Sequence, residues 1–138
     1  LITGAGGMFG GVLRLSGIGA ALSDSLSNLG MSLILQAFII ATLLRVAQGS
    51  ATVALTTTAG LISAAVADAD LSSFQISLLV IAIAAGATVL SHVNDSGFRL
   101  VSRFFGMDVK TTLKTWTVME TTLGLSAFAI ALALWVVA

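Results

Sequence analysis

The stretch Ile76–Leu90 runs without a charge and is then cut by Ser91-His92-Val93-Asn94-Asp95-Ser96-Gly97, after which Phe98–Met107 turns apolar again. An apolar helix of that kind needs a solvent that is not water. Backbone released from helical bonding at such a point is tolerated in lipid only where protein buries it or where it lines a wet cavity. Composition points the same way. Of 138 residues 57% are hydrophobic and only 9% charged, against about 25% charged in ordinary soluble domains. Six basic and six acidic side chains cannot cover a 14.0 kDa globule, so lipid must solvate most of the surface. Zero net charge excludes the basic footprint of a nucleic-acid binder.

A second interruption precedes the first. Ser32–Leu44 and Val53–Val66 are apolar runs of 13 and 14 residues, separated by Arg45-Val46-Ala47-Gln48-Gly49-Ser50-Ala51-Thr52. A full span needs about 20 apolar residues, so runs this short read as the arms of a re-entrant helical hairpin with a Gly/Ser tip. One long kinked span, or two short tilted ones, is the competing reading. The last stretch, Trp116–Ala138, reads as a full span. Its two tryptophans are 19 residues apart, about 28 Å of helix, which sets both indoles at interface level.

The expected fold is therefore all-α and integral to the membrane. Residues 1–30 form a glycine-rich helix end and interfacial turn, 31–68 the hairpin, 72–107 a discontinuous transmembrane helix, and 111–138 a terminal full span. The chain opens Leu1-Ile2-Thr3, which reads as a piece beginning inside a larger transporter. Arg99, Arg103, Lys110 and Lys114 flank one turn and Asp68 and Asp70 another; the positive-inside rule puts the basic turn in the cytoplasm and the C-terminus in the periplasm.

Broken helices are where secondary transporters build sites, because half-helix N-termini offer free N–H groups to anions. The residues read as substrate-binding are Arg45, Gln48, Gly49, Ser50, Thr52, Ser91, Asn94 and Ser96, which suit a small carboxylate rich in hydroxyls. The bland alternative for the hydroxyl residues is a bond back to their own helix. Arg45 is read either as a fork for a substrate carboxylate or as a partner for Asp95, Glu120 or an acid elsewhere. His92 and Asp95 are the proton-coupling candidates, since ionisable groups inside a membrane segment are costly and mark pathways, and histidine titrates near neutrality; the alternative is a pair that fixes the shape of the break. Glu120, one turn inside Trp116, reads as reaching the interface and not as a proton relay. A lone histidine without cysteine gives no metal site, and neither a cofactor motif nor a nucleophile with its base is present.

The runs Gly4-Ala5-Gly6-Gly7-Met8-Phe9-Gly10, Arg45–Ala54 and Ser91–Phe98 together resemble the C-terminal region of gluconate permeases, within the ion-transporter superfamily. That resemblance implies proton symport of gluconate or a related sugar acid across the bacterial inner membrane, with no cofactor. It also implies the later part of the second of two inverted repeats, partnered by the remaining N-terminal part. Superfamily members commonly work as dimers, which leaves a homodimer open. The tip lacks the Asn, and the break the Pro, of dicarboxylate carriers, so sodium coupling is not implied. The alternatives are a carrier of another small anion or amino acid (D-serine, a dicarboxylate) in the same fold, or a membrane subunit that assembles through its glycine faces without transporting.

Overall fold

The structure, a computed structural model, describes residues 30–138 and a scattering of positions before Gly30. The glycine-dense stretch and interfacial turn expected over 1–30 fall largely outside the described residues. Among those described, the chain is all helix: α1 (Leu33–Gln48), α2 (Ala51–Asp68), α3 (Ser73–Thr88), α4 (Ser96–Phe104) and α5 (Val109–Val137), the last with a π-helical turn at Leu113–Thr117 built into it.

Each boundary has a local cause. Gly49 ends α1 in the left-handed region (φ 81°), its N–H donating to the Arg45 carbonyl; this is the turn that glycine adopts without a Cβ penalty. Ser50 then caps α2, its side chain accepting from the Val53 N–H. Thus only two residues separate the hairpin arms. Ser72 and Gln75 form a reciprocal capping box at the start of α3. At the other end of α3, Val89 is extended and Leu90 takes φ 55°, an uncommon conformation for a side chain branched at Cγ. Asp95 caps α4 and Asp108 caps α5.

The helix α1 lies against α3 and pairs with α2, while α5 packs on the other flank of α3. The shared core is made of Ile34, Ala37, Ile40 and Ala41 of α1, Ile62 of α2, Leu78, Leu79, Ala82, Ile83 and Ala85 of α3, and Phe128 and Ala131 of α5. Alanines alternate with the larger side chains along these contact lines and let the helices approach closely. At Gly86 an added Cβ would lie 2.5 Å from the Phe38 carbonyl oxygen, and at Gly124 one would lie 2.7 Å from the Ala85 carbonyl oxygen. The backbones of α1, α3 and α5 therefore touch almost directly. Between the two glycine contacts the Phe38 and Phe128 rings stack at 3.9 Å.

Outward faces carry large exposed apolar side chains, among them Val80 and Ile81 on α3 and Met119, Leu123, Ile130 and Val137 on α5. Two helices, Ala51–Asp68 and Val109–Val137, are long and apolar enough to cross a membrane. The second arm of the hairpin is thus longer than the apolar run 53–66 suggests, because Ser50 starts the helix at once after the turn and Ala67 and Asp68 extend it. The α3–α4 path is broken at residues 89–95, two residues earlier than the polar segment 91–97 suggests, because α3 ends at Thr88 and Asp95 caps α4 so that Ser96 and Gly97 are already helical.

Candidate functional site

The antiparallel order brings four helix ends to one level: the end of α1, the start of α2, the end of α3 and the first turns of α5. Arg45, in the last turn of α1, is 1% exposed. Its Nη2 donates to Asp95 Oδ2 at 2.6 Å and its Nη1 to the Gly49 carbonyl at 2.6 Å, so one guanidinium ties the hairpin tip to the break. Of the two roles read for Arg45, this geometry makes it the partner of Asp95. Nε makes no hydrogen bond. Removing either charge would leave the other buried and unpaired, the situation in which ion pairs cost most.

Asp95 accepts twice more. Ser91 Oγ donates to Oδ2 at 2.5 Å and the Gly97 N–H to Oδ1 at 3.1 Å. Ser91 is fully buried and is itself gripped from α5, where Trp116 Nε1 donates to its Oγ at 3.1 Å and Thr117 Oγ1 to its carbonyl at 2.5 Å. One turn further on, Thr121 Oγ1 accepts from the Leu90 N–H. The buried groups at Leu90, Ser91 and Asp95 are thereby answered by side chains of α1 and α5, as burial demands.

His92 is half-buried and bridges outward. Its Nε2 lies 2.9 Å from the Val46 carbonyl, which can only accept, so Nε2 carries hydrogen; Nδ1 accepts from the Asn94 N–H at 3.3 Å. This is the neutral Nε2–H tautomer, holding break and hairpin together a second time. Gly49 supplies the third contact: a Cβ there would collide with the Asn94 side chain and backbone, so tip and break are in van der Waals contact.

The remaining candidates lie in front of this buried assembly. Gln48 and Ser50 are half-buried, and Thr52, Asn94 and Ser96 are exposed. The side chains of Gln48, Thr52, Asn94 and Ser96 make no hydrogen bond among the described residues, whereas Ser50 is spent on its cap. The ten sequence-derived site residues all lie on the two segments that meet at Gly49 and Asn94, divided between a buried, largely hydrogen-bonded set and a more exposed set without side-chain partners.

One site residue was read differently from the sequence and two were overlooked. Trp116, assigned there to the interface from its spacing to Trp135, is half-buried with its indole on Ser91. The cause is the π turn at Leu113–Thr117, whose extra residue rotates Trp116 and Thr117 onto the break. Thr117 and Thr121 were overlooked, although Thr117, Thr121 and Gly124 recur at helical spacing as a polar and small stripe in an otherwise apolar span. The Val46 carbonyl has no sequence signature.

These features define an all-α membrane protein whose polar groups are gathered where two helix breaks meet. The chain belongs to the GntP family of permeases, whose family model matches residues 1–137. Among similar proteins, the inner membrane permease YgbN of Escherichia coli (strain K12) is 47% identical over 137 residues, covering 99% of this chain and 30% of the relative. The low-affinity gluconate transporter of the same strain is 46% identical over 124 residues, covering 90% and 28%. Its Gnt-II system L-idonate transporter is 42% identical over 120 residues, covering 87% and 27%. The chain spans under a third of the length of these relatives. No solved structure matches it.

Proposed function

We propose that the protein to which this chain contributes is a proton symporter of gluconate or a closely related sugar acid, and that the front of the assembly is part of its substrate site. The observation that carries this is the set of uncommitted polar side chains, Gln48, Thr52, Asn94 and Ser96, at the junction of tip and break. A sugar acid has one carboxylate and several hydroxyls. The first N–H groups of α2, at Ala51 and Thr52, have no intrahelical acceptor and sit at the positive end of an 18-residue helix, which suits the carboxylate. The amide and hydroxyl side chains suit the hydroxyls. Gly49 and Ser91 form the floor, and Arg45 contributes its positive field from behind. Asp95 and His92, the coupling candidates of the sequence, hold the floor in shape: the Asp95 carboxylate already has three donors and both ring nitrogens of His92 are engaged.

Depth supports this reading. Trp116 is seven residues from Val109, about 11 Å along the helix, so the break it meets lies well inside the length of α5. The hairpin is proposed to be re-entrant and to open towards the periplasm, where the C-terminus also lies; the sealing of its tip against residues 91–95 is what favours this path. The first repeat, from the rest of the protein, completes the site. Gluconate and idonate are named for the relatives that transport them, and this chain shares 46% and 42% identity with those two.

The test is uptake of labelled gluconate by cells carrying the complete protein, with and without a proton uncoupler. Accumulation that collapses with the uncoupler is expected, and unlabelled gluconate and idonate should compete where D-serine and dicarboxylates do not. Uptake insensitive to the uncoupler removes the symport reading, and competition by another anion alone replaces the substrate.

A further inference from the structure

One ionisable group in the membrane-spanning part of the chain is not absorbed by the assembly described above. Glu120 stands on α5 between Thr117, which donates to the Ser91 carbonyl, and Thr121, which accepts from the Leu90 N–H; Gly124, on the adjoining part of the same face, abuts α3. The residue flanks the face that closes on the break. It is half-buried, makes no hydrogen bond or ion pair among the described residues, and lies within electrostatic reach of both Arg45 and Asp95.

Its surroundings differ from those the sequence suggests. Taking Trp116 as an interface marker puts Glu120 one turn from water. With Trp116 turned onto the break and the helix beginning at Val109, Glu120 is 11 residues from one end of α5 and 17 from the other, about 16 and 26 Å. The charged groups that face it are few. Helix α3 has no ionisable side chain, α1 has only Arg45, and the break has Asp95 and the neutral His92. Lys114, exposed in the π turn, is six residues away and makes no ion pair with it.

We infer that Glu120 carries the coupled proton, an assignment that rests on the symport reading above. Arg45 and Asp95 cancel, being joined at 2.6 Å. An ionised Glu120 therefore leaves the buried cluster with one uncompensated negative charge, and a protonated one leaves it neutral. An anionic substrate arriving at the tip adds a second negative charge to the same low-dielectric region, where Coulomb repulsion is strong. Substrate binding then favours protonation of Glu120, and by linkage protonation favours substrate by the same factor. The step is a proton taken from water onto one carboxylate oxygen and returned to water after transport; no other bond changes. Asp95 cannot play this part without giving up Arg45, Ser91 and Gly97 together.

The experiment uses the full-length protein in proteoliposomes with labelled gluconate. For the parent protein, a pH gradient should drive accumulation, and KM should fall several-fold as the pH on the uptake side is lowered. Glu120→Gln should reduce accumulation to equilibration, a ratio of about one, while counterflow exchange persists with a KM that no longer varies with pH. Glu120→Asp should retain gradient-driven accumulation. If Glu120→Gln still accumulates substrate in response to the gradient, or if both variants lose exchange altogether, the inference falls and the residue is either dispensable or structural. If the parent protein itself ignores the gradient, the symport reading fails and the inference with it.

Discussion

The rear and the front of the junction between hairpin and break are built from similar residues for opposite ends. Behind, Arg45, Asp95 and Ser91 are buried, and their hydrogen-bonding groups are nearly all matched. In front, Gln48, Thr52, Asn94 and Ser96 are reachable and unmatched. Burial decides the difference. A polar group out of reach of water must find a partner inside the protein or cost roughly 1–3 kcal/mol, whereas one in front keeps its capacity for a ligand. The comparison teaches that polar residues inside an apolar chain are not one class. Those that hold a break open are distinct from those that the break presents.

Substitutions can break or sharpen this contrast. The largest effect is expected at the rear. Asp95→Asn leaves Arg45 buried without its counter-charge, a loss of about 3–5 kcal/mol. Both accumulation and exchange should disappear, and thermal denaturation of the purified full-length protein should shift down. A variant that keeps exchange at parental rates would show the pair to be functional rather than structural. Next comes the contact between the two halves. Gly49→Ala must hold a Cβ in the left-handed region, at about 1–2 kcal/mol, and also push Asn94 away. Transport should fall sharply while helix content by circular dichroism stays unchanged. The smallest effects belong to the front. On the proposed substrate site, Gln48→Ala or Asn94→Ala would each remove one ligand hydrogen bond, worth about 1 kcal/mol, so KM should rise roughly fivefold with the melting temperature unmoved. A melting shift as large as that of Asp95→Asn would erase the distinction between front and rear.

Much of this was legible in the sequence for a simple reason. Clusters of glycine and polar residues in sequence mark where the backbone leaves the helix, so Gly49–Ser50 and Ser91–Asp95 announced themselves by composition. Asp95 was among the partners the sequence offered Arg45, because buried charges must pair and acids are scarce in this chain. The contribution of α5 was not legible. Trp116 fits a membrane belt by spacing, and only the π turn, which depends on packing against the broken helix, turns it inward. The place of Glu120 between Thr117 and Thr121, which bond the break, was lost with it. The Val46 carbonyl was invisible because every residue has one.

The two glycine contacts on α3 carry a mechanical consequence. Gly86 meets the backbone of α1, and the backbone of α3 meets Gly124 of α5, with only the short side chains of Ala41, Thr42 and Val89 beside those contacts. Long side chains can slide past one another by changing rotamer; backbone seated against backbone cannot. Hairpin, broken helix and final helix are therefore pinned as a single rigid piece, and a push on any one of them is passed to the other two with little slack.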